Sequence, residues 1–166
     1  MAIPVRERVI QEFKYVAQQL TTAEGFHSNC GANVTRGRMS WEEDDRCMSI
    51  FPEVEQSSKN AYTYDSHVMP VKFDVLETYA DLIAEFGDEA ASVMGERVLA
   101  DLKEVIRRSR GALTTPGIDG EPALVQSIQY TGGGIQKYPK SSEKTVGITA
   151  SFDVTYETKS GDPYNQ

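Results

Sequence analysis

The chain has 166 residues, 39% hydrophobic and 25% charged, an ordinary composition for a globular protein with one core to bury. No apolar run approaches the roughly 20 residues of a membrane-spanning helix, and Met1 to Val5 lacks the basic-then-apolar layout of a signal peptide, so one domain over 1–166 that stays where it is made is expected, with no membrane partner. The formal charge is −8, and no stretch offers the concentrated basic surface that grips nucleic-acid phosphates, because Arg36, Arg38 and Arg46 flank the acidic run Glu42 to Asp45.

Pro4 suits a first helical turn, and Val5, Val9, Phe13, Val16, Ala17 and Leu20 recur at spacings of three and four. An opening helix is predicted that buries this stripe against a sheet. Thr21, Thr22 and Gly25 end it, and residues 25–45 read as a polar loop or insertion without a sustained period. Cys47 to Val54 alternates as a first strand, which ends, bulges or lies at an edge where Pro52 cannot donate to a ladder. Ser57 to Asn60 connects it to a second strand from Ala61 to Tyr79, clearest where Val71, Phe73 and Val75 alternate with Lys72, Asp74 and Leu76. The two pair as a hairpin, and Pro70 predicts a bend or break in the second.

A second helix follows Gly87. Asp88 is the expected N-cap, Glu89 favours the positive end of the dipole, and Arg107, Arg108 and Arg110 crowd the negative end before Gly111 as the C-terminal cap. Val93, Met94, Val98, Leu102, Val105 and Ile106 form its buried stripe. A loop from Thr114 to Gly120 leads to a third strand, Leu124 to Tyr130, and Thr131 to Lys144 reads as a long hairpin loop with Gly132, Gly133 and Gly134 at its tip. The last strand, Val146 to Tyr156, returns antiparallel to the third. Val146, Ile148, Ala150, Phe152, Val154 and Tyr156 face a core, and Gly147, Thr149, Ser151, Asp153 and Thr155 face a wetter place. The fold class is α+β: an antiparallel or mixed four-stranded sheet with two main helices on one face, in the order α-β-β-α-β-β, followed by a tail at 158–166.

Chemistry is sparse in this pattern. Cys30 and Cys47 are too few for a disulfide framework, which points to a reducing compartment. His27, Cys30, Cys47 and His67 assemble into a zinc site only on paper, because nothing resembles a CxxC pair, and a Cys/His nucleophile would need an adjacency that spacing does not supply. Glu42 to Asp45 lacks the spacing of a calcium loop, and Gly132 to Gly134 opens no helix and carries no GK[ST], so neither predicts a metal or a cofactor. Arg107, Arg108 and Arg110 could meet an anion or an acidic partner, although dipole complementation and solvation are the plainer reading, and Trp41 beside Arg36 and Arg38 is equally an interface anchor or the cover of a small loop core. Residues 61–106 hold ten acids against three bases, so most of the charge excess sits there.

The layout resembles the tail terminator proteins of long-tailed bacteriophages. The resemblance rests on the amphipathic opening helix, the strand around Met48 to Pro52, the strand ending in Val71 to Val75, the single long helix ending in Ala100 to Ile106, and the alternating last strand closing with Gly161, Asp162, Pro163 and Tyr164. It implies assembly in place of catalysis. Such proteins form a homohexameric ring on the last ring of tail-tube subunits, stop polymerisation, and present a surface to head-completion proteins, while DNA only passes through the lumen. The implied location is the neck of the virion, reached by assembly in the bacterial cytoplasm. Closed rings arise from heterologous interfaces. The sheet edges and the hairpin loop, with Tyr130, Lys137, Tyr138, Lys140 and Phe152, and the polar face carrying Ser151 and Asp153, are the expected assembly surfaces, and the acids of the central segment would repel DNA from a lumen. Another neck component, such as a head-closure or tail-tube protein, and a Cys/His-dependent enzyme are the alternatives.

Overall fold

The computed structural model describes residues 2–37, 46–59, 63–117, 120–137 and 144–166. Helix α1 spans Val5–Gln18, strands β1 to β4 span Val34–Arg36, Cys47–Pro52, Gln56–Lys59 and Tyr64–Thr78, and a short helix α2 (Ile83–Phe86) precedes the long helix α3 (Ala90–Thr114). Strands β5 (Ser127–Lys137) and β6 (Thr145–Lys159) complete one sheet in the order β1-β2-β4-β6-β5, with β3 also paired to β4. The class is α+β, as expected, but the sheet has six strands. The two additional strands fall where a loop and a connection were predicted, at Val34–Arg36 and Gln56–Lys59. Both are short and lack the alternation that marks a strand in sequence.

The centre of the sheet is the β4–β6 ladder, antiparallel over all 15 residues of each strand. Pro70 neither bends nor breaks it. The Pro70 carbonyl accepts the Glu53 amide at 2.8 Å, on the flank where β2 ends and β3 has not begun, so the missing proline N–H falls in the gap between those two strands and removes no bond to β6. β2 and β4 pair antiparallel as predicted, and β1 lies parallel to β2.

One face of the ladder carries Met69, Val71, Phe73 and Val75 opposite Val154, Phe152, Ala150 and Ile148, all buried. Both helices cover this face. The predicted stripe of α1 is fully buried, and Phe13, Phe73 and Phe152 form an aromatic run with centroids 6.3 and 5.7 Å apart. Burying each such ring contributes roughly 2–3 kcal/mol. The first amide of α1 is satisfied from the far end of the chain, since Val5 N–H donates to the Pro163 carbonyl at 2.9 Å. Just past the end of α1, the Leu20 carbonyl accepts the Gly31 amide at 2.9 Å, a contact so close that a Cβ on Gly31 would meet that oxygen at 2.6 Å.

Helix α3 starts after a 3-10 turn at Gly87–Glu89, so Asp88 does not cap it, and it passes straight through Gly111 to Thr114. The extra turn buries Leu113, whose carbonyl accepts the Val125 amide at 3.1 Å. Val93, expected in the buried stripe, is half-buried, and Leu99 and Asp101 take places in it. The glycine triplet also departs from expectation. It lies inside β5, where register shifts between Tyr130 and Gly132 and between Ile135 and Lys137 bend the strand, and a Cβ on Gly133 would collide with the Thr149 carbonyl. Gly95 of α3 lets the helix settle on Ile135, whose side-chain carbon lies 2.5 Å from where a Cβ would stand. α3 therefore runs antiparallel over β5, with Gly95 at Ile135, Lys103 at Tyr130 and Leu113 at Val125.

Candidate functional site: an open sheet face and two polar clusters

The face of the ladder opposite the helices carries Thr149, Ser151, Asp153 and Thr155 of β6 against Asp74, Lys72, Pro70 and Val68 of β4. These residues are half-buried except Val68, which is exposed. Thr149 Oγ1 donates to Asp74 Oδ1 at 2.8 Å, and Lys72 Nζ lies 3.0 Å from Asp74 Oδ2 and 5.2 Å above the Phe51 ring. Fifteen residues of strand extend about 50 Å, so this face is long; it is mostly polar along β6, and on the adjoining β2 it carries Cys47 and Ser49, both fully buried. Its edges are blunted: β1 has three residues, β3 has four exposed residues ending in Lys59, and β5 carries its two bulges. Short, charged or bulged edges resist pairing with another chain.

The predicted assembly residues are dispersed. Ser151 and Asp153 share the open face, opposite Lys72 and Pro70. Tyr130 faces the helix side instead, packed at 5.5 Å on the Phe152 ring with Lys103 Nζ 4.2 Å above it, and Phe152 itself is core, 2% exposed, so neither ring is an outward anchor. Lys137 closes β5 and is exposed. Arg107 and Arg108 lie on α3 and both grip Glu104, at 2.7 and 2.9 Å; the two guanidiniums hold that carboxyl down at about 2. Arg108 also stacks over Phe26 at 4.6 Å. Trp41, Tyr138, Lys140 and the run Glu42 to Asp45 lie outside the described residues.

The acids of the central segment do not share one surface. Glu77 and Asp101 are 1% and 4% exposed, inside the protein. Glu77 accepts from Ser28 Oγ, from Arg46 Nε at 2.6 Å and from the Thr78 amide at 3.0 Å. Asp101 accepts the His27 and Ser28 amides at 2.7 and 3.1 Å and lies 2.9 Å from His27 Nδ1. Together they fasten residues 27–30 to β4 and α3. Ser28 Oγ in turn accepts the Cys30 amide at 3.0 Å, and burial pushes the Cys30 thiol up to about 12. His27 is thus turned to Asp101, and Cys30 is a buried, protonated thiol, so the two do not form an activated nucleophile pair.

A second cluster closes the other end of the ladder. Tyr156 Oη donates to Glu55 Oε2 at 2.6 Å, Arg6 Nε lies 3.1 Å from the same carboxylate, and His67 stacks on Tyr156 at 4.9 Å while bonding Ser57 and Thr158 at 2.7 and 2.9 Å. His67 is therefore far along the sheet from His27, and among the described residues no group of three or more His, Cys, Asp and Glu is placed to hold a metal ion. Beside Arg6, an open depression of about 610 Å³ is lined by Pro52, Glu53 and Val54.

Sequence reasoning counted Glu77 and Asp101 as surface charge. The signal was there: Glu77 continues the apolar row Val71, Phe73, Val75, and Asp101 sits three residues after Val98 in the buried stripe of α3. No protein-family model matches the chain, and no curated protein matches it.

Proposed function

We propose that this chain is a structural subunit of a long phage tail, forming a ring that caps the completed tube, stops its polymerisation and offers a surface for joining the head. The observation that supports this reading best is the division of the sheet. Two fully paired strands of 15 residues commit one face to the helices and leave the other, with Ser151 and Asp153, half-buried and mostly polar along β6, while the same face is fully buried on β2 at Cys47 and Ser49. Such a face suits broad contact or a lumen more than enclosure of a small ligand, for which a deep, mostly apolar pocket is usual. The partners under this reading are further copies of the chain, the tail-tube protein and a head-completion protein, with DNA passing through the lumen.

Light scattering on the eluting protein, alone and with tail-tube subunits, tests it. Rings are expected in at least one condition, and a protein that stays monomeric in both refutes the reading. Loss of the gene is expected to give overlong tails; tails of normal length that fail to join heads would assign the chain to a different neck component.

A further inference from the structure

The exposed ridge of α3 changes sign along its length. Glu89 and Glu96 begin it and Lys103, Arg107 and Arg110 end it, all exposed and spaced seven, seven, four and three residues apart, which places them on one side of the helix. The lead-in to the helix adds Asp81, Glu85 and Asp88 around Ile83, which is 38% exposed, and residues 80–89 contain no base. At the other end Glu104 is shared between Arg107 and Arg108, which leaves the basic end positive. Because α3 runs the length of β5, the two ends lie about 30 Å apart, at opposite ends of the sheet.

We propose that neighbouring copies meet head-to-tail along α3, the acidic lead-in of one copy against the Lys103, Arg107 and Arg110 end of the next. This rests on the ring reading above and names its contact. The occupant is a second copy because the two patches are complementary in sign and too far apart to satisfy each other within one chain. A contact between two different patches of one chain is heterologous, and it closes into a ring when its rotation closes. Copies that each carry −8 repel at long range, so juxtaposing the patches of opposite sign is the arrangement that offsets the repulsion, with Ile83 as its apolar centre. Such a contact leaves the open sheet face uncovered and makes no use of the blunted edges.

The test uses the full chain, with tail-tube subunits added if the ring needs them. Glu89→Arg with Glu96→Arg, and separately Arg107→Glu with Arg110→Glu, are expected to weaken assembly by about tenfold or more while the melting curve stays native, and salt at about 0.5 M is expected to weaken the native ring. Combining all four changes in one chain, or mixing the two variants, is expected to restore it. Glu89→Cys with Arg110→Cys is expected to cross-link between copies and not within one, which reads the contact even if a reversal impairs folding. Native rings that tolerate both reversals and give no such cross-link overturn the contact and leave the ring reading standing. A native protein that never forms rings overturns the ring reading, and a dimer of two copies sensitive to both reversals keeps the contact and overturns its closure.

Discussion

Arg46 has a side chain 40% exposed and borders a polar stretch, where a truncation ordinarily changes stability by less than about 0.5 kcal/mol. Here a much larger cost is expected, because its partner Glu77 has a side chain only 1% exposed. Arg46→Ala leaves that carboxylate with the Ser28 hydroxyl and the Thr78 amide and no countercharge. Breaking a buried ion pair by removing one partner costs about 3–5 kcal/mol. The guanidinium is 40% exposed and the carboxylate keeps two hydrogen-bond donors, so the lower end, about 3 kcal/mol, applies. Glu77→Gln removes the stranded charge, and in that background Arg46→Ala is expected to cost about 1 kcal/mol, a coupling of about 2 kcal/mol. Urea unfolding of the four proteins of this cycle, followed by circular dichroism at neutral pH, measures both numbers. An Arg46→Ala protein within about 0.5 kcal/mol of the native chain, or an equal cost in both backgrounds, refutes the reasoning.

Two further outcomes follow from the buried hydroxyl and thiol. Burial first, and the bond to Glu55 second, raise Tyr156 above its ordinary value of 10.0, so the folded protein keeps a proton that the unfolded chain releases. Its contribution is fully present below about pH 10 and is lost as the pH rises further, at up to about 1.4 kcal/mol per pH unit; Tyr156→Phe should flatten that fall while costing about 1 kcal/mol at neutral pH, and identical urea midpoint slopes for the two proteins between about pH 9 and 11 would refute it. Cys30, fully buried with its thiol pushed up to about 12, is expected to resist alkylation at about pH 8 in the native protein and to react once urea unfolds it; modification of Cys30 in the native protein, read by peptide mass, would contradict its placement.

What the sequence made legible is what periodicity encodes. The stripe of α1, the alternation of β6 and its pairing with the third long strand are visible because each repeats one physical constraint over four or more positions. The misreadings share a different cause, in that a single residue's local preference was overruled by a tertiary contact. Pro70 is harmless because its flanking strand happens to be interrupted beside it, and Gly111 does not stop α3 because Leu113 gains a place in the core. The glycines of β5 form strand and not a turn because Gly133 lies against the Thr149 backbone, where no side chain fits. The deciding contacts, Glu53 with Pro70, Val125 with Leu113 and Thr149 with Gly133, all join residues distant in sequence, so no local rule could weigh them.

The same distinction decides what the acidic middle of the chain is for. Counted along the sequence, its ten acids look like one charged surface, and that count suggested a lumen that repels DNA. In three dimensions Glu77 and Asp101 belong to the interior, where they hold residues 27–30 and Arg46 against the sheet, Asp65 accepts from Ser160 and Gly161, and Asp74 and Glu104 are paired with bases. The acids that remain exposed gather before and at the start of α3, at one end of the domain, opposite the arginines that close the same helix. A charge gathered at one end acts on whatever abuts that end, whereas repulsion along a channel needs it spread over the channel wall. The exposed acids therefore argue for a contact between subunits before they argue for a channel. The open face, where Asp74 is balanced by Lys72, is left to be read through its shape and its hydroxyl groups.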